Sequence, residues 1–254
     1  MKPVSALTLL LIALVAALGT GGTAFAQALR TDALSVPGPL LAETTADQID
    51  KVAFLTALSK IESDVRLGAL FVHDGREDLA AEHFLAPRAE TIPEIAEQLA
   101  SLGLVDFEAR FAELETASGK EGVRVAVKKA MRELSKARLK IKPTAIEKID
   151  SIAENLRAAA AKISPDGPTE VEDFQDVWGM VIVAREHIDL FARGKDLTLL
   201  GRTPDPALIS GAQTMAGLVD LVLIDLPDPA VPVPMTLDPS VMTSVIAEMA
   251  GLTG

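Results

Sequence analysis

The chain has 254 residues, with 36 Asp and Glu against 24 Lys and Arg (formal charge −12), no cysteine, no tyrosine and a single tryptophan. The absence of cysteine excludes disulfide scaffolding, thiol catalysis and thiolate-ligated metal. The acidic balance disfavours nucleic acid and anionic membranes as partners, and the scarcity of aromatics argues against sugar-stacking platforms.

Residues 1–26 predict a cleavable signal peptide. Lys2 is followed by an apolar run from Ala6 to Leu18, then small residues, then Ala24-Phe25-Ala26 before Gln27. That order of charged, apolar and A-x-A regions suits a signal peptidase. The apolar run is short of the ~20 residues that a membrane-spanning helix needs. The expectation is therefore export to the periplasm, with no membrane insertion after cleavage. Residues 27–44, around Pro37-Gly38-Pro39, read as a linker.

From Asp47, apolar residues at Phe54, Leu58, Ile61 and Val65 mark one stripe of a helix that ends at Asp74-Gly75, with Thr44 or Thr45 as its cap. Shorter helices are predicted at about 77–84, stopped before Pro87, then at 92–102 and 106–117. Three seams with alternating three- and four-residue spacing follow. They are Val123, Val127, Ala130, Leu134, Ala137 and Ile141; Ile146, Ile149, Ala153, Leu156, Ala160 and Ile163; and Phe174, Val177, Val181, Ala184, Ile188 and Phe191. Such seams drive antiparallel helix packing. Pro143 falls where a first-turn proline belongs.

Residues 207–224 are apolar throughout but hold Gln213 and Asp220, and the expectation is a helix buried in the core. The prolines that follow forbid helix, and a last short helix is expected from Ser240, packing through Val241, Val245, Ile246 and Met249. The fold class is thus all-α: an antiparallel bundle of about six to eight helices over residues 45–226. A Pro-rich arm and a short C-terminal helix occupy 227–254.

Nucleophile elbows, zinc-protease motifs and phosphate loops are missing from residues 27–254, so no enzyme is expected. His73, His83 and His187 are the chain's histidines. His73 closes the first helix, where a positive charge is favourable. His187 adjoins seam position Ile188.

Two stretches carry a resemblance. Gly68–Glu90 (GALFVHDGREDLAAEHFLAPRAE) and Glu172–Val181 (EDFQDVWGMV) resemble two signatures of a class of exported bacterial helical proteins, similar to the imelysin-like bundles of the periplasm. The first signature reads Gly-His, a Gly two turns on, then His-Phe-x-His-Pro-x-x-Glu. The second reads Glu-Tyr-Gln-Asp, then Gly and an apolar run. His83, Pro87, Glu90, Gln175, Asp176 and Gly179 match, while Ala69, Ala86 and Phe174 depart. The resemblance implies metal-related histidines and glutamates. On it, with the acidity, rests the expectation of a periplasmic non-enzymatic binding or accessory protein for a divalent metal ion, with His83, Glu90, His73 and Asp78 as ligands. The other reading is a structural bundle whose partner is another envelope protein.

Overall fold

The Asp50 carboxylate accepts from the Ala53 N–H at 3.0 Å and so starts the first helix, α1 (Lys51–His73). A computed structural model of the chain describes residues 49–164, 167–194, 206–226, 228–230, 236, 238 and 240–253. The expected signal peptide, the linker, Thr44, Thr45 and most of the Pro-rich arm lie outside the described residues. Beyond α1 come α2 (Glu77–Ala86), α3 (Ala96–Ser101), α4 (Phe107–Glu115), α5 (Gly119–Ile141), α6 (Ala145–Lys162), α7 (Val171–Ala192), α8 (Pro206–Asp225) and α9 (Ser240–Thr253). The architecture is an all-α bundle, with nine helices among the described residues.

Local signals explain most boundaries. Gly75, with φ +78°, takes the left-handed turn after α1. Thr144 accepts from the Glu147 N–H while Glu147 accepts from the Thr144 N–H, a reciprocal cap that opens α6 and leaves Pro143 just outside the helix. Ser240 is the first residue of α9 rather than its cap, and its N–H donates to the Asp238 carboxylate at 2.8 Å.

Pro87 does not stop α2. The chain passes through a π turn, Pro87–Thr91, in which the Ile92 N–H reaches the Pro87 carbonyl, and runs on to Glu94. A proline lacks its own N–H and crowds the preceding turn, and beyond Pro87 the helix continues in the wider i→i+5 pattern.

The apolar interior forms two sub-cores. One joins α1 to α5 through Phe54, Leu58, Phe71, Phe107, Phe111 and Leu134. The other joins α6 to α9 through Leu156, Phe174, Val181, Val219, Val245 and Met249. Trp178 packs against both. The α5 and α7 seams face inward as expected, except that Val127 is only half-buried; in α6, Ile146 points to solvent and Ile152 is buried instead. α9 packs on α6 and α8 through Met242, Val245 and Met249, so the C-terminal helix belongs to the bundle. The Val241 side chain lies outside the described residues.

α8 is long and apolar enough to cross a membrane. It is not a central helix: Ala212, Met215, Ala216, Val219 and Val222 pack inward, while Leu221 and Ile224 on the other face are exposed. The helix enclosed on every side is α1, where each residue from Ile61 to Gly68 is buried. A Cβ on Gly179 of α7 would collide with Ser63 and Leu67, and one on Gly68 would collide with the Phe84 ring. The two glycines let α7 and α2 close on α1 from different sides.

A buried carboxylate–histidine cluster

Enclosure of α1 forces polar side chains inside. Asp64 comes from α1, His83 from α2, and Gln175 with Asp176 from the first turns of α7. Asp64, His83 and Gln175 are buried, and Asp176 is half-buried. His83 Nδ1 lies 3.3 Å from Asp64 Oδ1, and its Nε2 lies 3.4 Å from Gln175 Oε1. Gln175 donates its Nε2 to the Pro229 carbonyl at 3.0 Å, which fixes the amide with its oxygen towards His83. The imidazole leans on the Phe71 ring, with centroids 5.4 Å apart.

Each ring nitrogen of His83 therefore faces an oxygen acceptor. A neutral imidazole has one N–H and cannot satisfy both. Both contacts are satisfied if the ring carries a proton on each nitrogen, if a protonated Asp64 donates to Nδ1 of the neutral ring, or if a cation takes a lone pair between these oxygens. Burial by itself pulls the His83 pKa down, but the hydrogen bond and charge of Asp64 outweigh it and hold the imidazolium above its ordinary range. Burial pushes the Asp64 carboxyl up, and the Asp176 charge adds to that while His83 opposes it.

One donor atom each from Asp64, His83 and Asp176 lie within 4.8 Å of one another, the sole such group among the described residues. Ligands around a first-row ion sit roughly 3–4 Å apart at ~2.0–2.2 Å bond lengths, so a modest side-chain closure brings the three into coordination. Asp64 Oδ2 is buried and without a hydrogen-bond partner. A buried carboxylate oxygen without a donor is costly, and a cation would satisfy it. Lys162 pairs with Asp176 Oδ2 at 2.8 Å on this cluster's edge.

Of the four residues expected as ligands, only His83 lies in the cluster. His73 and Asp78 are exposed, Asp78 facing Arg76 at 3.5 Å. Glu90 is exposed and pairs with Lys60 at 3.2 Å. The continuation of α2 through Pro87 explains this, since no reversal of the chain brings Glu90 back towards His83. Asp64 was hidden from sequence reading because the stripe through Phe54, Leu58, Ile61 and Val65 assigns it to solvent. Its signal was the pair of small residues on α1's other side, Ser59 and Ser63, which marks a second packed face.

A second buried cluster lies at the same level of α1, on its opposite side. Glu62 meets Arg66 at 2.9 Å (Nε), Arg138 of α5 at 2.6 Å and His187 Nε2 at 3.3 Å. Arg66 also donates to Glu186 at 2.9 Å. Burial disfavours the Glu62 charge, but Arg138, Arg66 and His187 overcome it and hold the carboxyl well below its ordinary range. Glu186 is pushed up to about 7, first by burial and then by the Glu62 and Asp189 charges. His187 is pushed down by burial and by Arg138. These groups neutralise one another and form a structural junction between the sub-cores.

Compared with known proteins, the chain matches no family model, no curated protein and no solved structure.

Proposed function

We propose that the chain is an exported, non-enzymatic protein of the periplasm that binds a divalent cation through Asp64, His83 and Asp176, with the Gln175 oxygen beside them. The observation that carries this reading is the buried Asp64 Oδ2, without a donor, next to an imidazole that has an acceptor on both nitrogens. Three of the positions that carry the imelysin-like resemblance, His83, Gln175 and Asp176, meet in this cluster, and Gly179 sets the helix crossing beside it. The signal-peptide pattern at 1–26 supports export. Imidazole with carboxylates and no thiolate suits Zn²⁺, Fe²⁺, Mn²⁺ or Co²⁺.

The test is calorimetric titration of metal-stripped protein with Zn²⁺ and Mn²⁺, followed by melting. Binding at about 100-fold excess over Kd should add roughly 2.7 kcal/mol and raise Tm by about 5–10 °C. Asp64→Asn and His83→Ala should abolish the heat and the shift, whereas Glu90→Gln and His73→Gln should keep both. If wild type and Asp64→Asn respond alike, the site does not exist. The reading of an envelope interaction bundle then leads, favoured by the exposed Leu221 and Ile224 on the apolar face of α8.

A further inference from the structure

A cavity of about 500 Å³ opens between α1, the π turn after α2, α6 and α7. α1 and α7, which supply Asp64 and Asp176 to the carboxylate–histidine cluster, also wall this cavity, and the π turn that continues from His83's helix adds Thr91. Lys60 lies one turn before Asp64 on α1, Met180 one turn after Asp176 on α7, and Thr91 two turns after His83. At 1.5 Å per residue these offsets are about 6, 6 and 12 Å. With α2 folded back on α1 as a hairpin, the α1 and α2 offsets point the same way, so the cavity lies along α1 beside the cluster. The Lys60 charge reaches Asp64 and also lines the cavity.

The lining suits a hydrated cation. Asp50, Glu94 and Glu154 stand at the rim against one Lys60, and Glu94 pairs with no cation among the described residues. Thr91, 1 % exposed, keeps its hydroxyl buried and without a partner. That oxygen can replace a water as an ion sheds its shell. The π turn places Thr91 there, a geometry often retained where function needs it.

We propose that this cavity is the access vestibule of the cation site, through which a divalent aqua ion is drawn past Glu94 and Thr91 to Asp64, with Lys60 as the charge that slows its passage. The proposal rests on the cation-binding reading above. A carboxylate-lined mouth concentrates cations and speeds association in a salt-dependent way. A route of this kind has a kinetic signature: narrowing it slows binding and release together and leaves the equilibrium alone.

The experiment is stopped-flow mixing of metal-stripped protein with Co²⁺, read by quenching of Trp178, the chain's one tryptophan, two residues from Asp176. Ala57→Phe, which narrows the cavity, should lower the association and dissociation rate constants about tenfold each and keep Kd within about twofold. Glu94→Gln should slow association about twofold to threefold at low salt, the difference vanishing near 0.5 M salt, where the Debye length is only a few Å. Lys60→Gln should speed association several-fold. Circular dichroism checks the fold of each variant, and should Ala57→Phe fail to fold, the two charge variants decide. Unchanged rates in folded Ala57→Phe, or in both charge variants, overturn the vestibule and leave the site standing. Wild type that binds no Co²⁺, or Asp64→Asn that binds as wild type does, overturns the site and the vestibule with it.

Discussion

Asp64 Oδ1 and His83 Nδ1 stand 3.3 Å apart, both side chains more than nine-tenths buried, on helices joined by a three-residue turn. The pair places a carboxyl against an imidazole inside the bundle. Its consequence is a histidine that titrates above the ordinary 6.5, while His187, beside Arg138, titrates below it. NMR titration of the imidazole C2 protons, with single His→Gln variants for assignment, should show that order. The folded value of His83 lies above the unfolded one. Its contribution to stability is therefore complete below about pH 6.5 and is lost as the pH rises through the raised value. Asp64→Asn should bring His83 back towards or below 6.5, and a His83 that does not move would show that Asp64 is not its proton partner.

Glu186 gives the opposite corner of α1 its own pH response. Its folded value of about 7 lies above the ordinary 4.5, chiefly through burial. The protonated acid is the form the fold prefers, so this group's contribution is full below about pH 4.5 and fades as the pH rises through about 7. The full difference corresponds to at most about 3 kcal/mol, reduced by the partial solvent access of the side chain. Glu186→Gln keeps the hydrogen bond to Arg66 and removes the titration. Urea unfolding at pH 5 and pH 8 should show the variant gaining on wild type at the higher pH. An equal difference at both values would place the Glu186 pKa in its ordinary range.

The helical seams were legible in the sequence because each is a regular apolar spacing on a helix with one buried face; Phe174, Val177, Val181, Ala184, Ile188 and Phe191 all lie inside. α1 was half legible. Its apolar stripe is buried, but so are Glu62 and Arg66 on one flank and Asp64 on the other, and periodicity cannot report further buried faces made of small and charged residues. Glu90 illustrates the same limit from the other side. Proline chemistry predicts a helix that stops before Pro87, and the chain runs on through a π turn instead. The cluster at His83 depends on α7, more than 90 residues further on, and no local pattern encodes that meeting.

The glycines separate packing from propensity. Gly179 and Gly68 sit where an added methyl would strike Ser63 and Leu67, or the Phe84 ring. Gly179→Ala and Gly68→Ala should each cost about 1–3 kcal/mol through overpacking, more than the ~0.5–1 kcal/mol that alanine restores to a helix. Gly217, on the outer side of α8, has nothing within 4 Å of the point where a methyl would stand. There Gly217→Ala should raise stability by up to about 1 kcal/mol. Chemical denaturation of the three variants decides it, and stabilisation by Gly179→Ala and Gly68→Ala as well would mean that α7 and α2 do not close tightly on α1 there.

Burial also decides which ion pairs matter. Glu62 is 2 % exposed and compensates Arg66 and Arg138 at once, whereas Glu90 is an exposed carboxylate facing Lys60. Removing one partner of a buried pair leaves an uncompensated charge in a region of low dielectric, and Glu62→Gln leaves two guanidinium groups facing one another across α1 and α5. The expected loss is about 3–5 kcal/mol. Glu90→Gln breaks a pair that water already screens, and should change stability by no more than ~0.5–1 kcal/mol. Because Glu62 is held ionised far below its ordinary value, the gap between the two variants should be wide at pH 7 and shrink only in strong acid, where wild-type Glu62 takes up a proton. Parallel guanidinium denaturation understates surface charges by screening them, so urea is the denaturant of choice. If Glu62→Gln proves as mild as Glu90→Gln, Arg66 and Arg138 have reached water, and the junction between the two sub-cores is open rather than sealed.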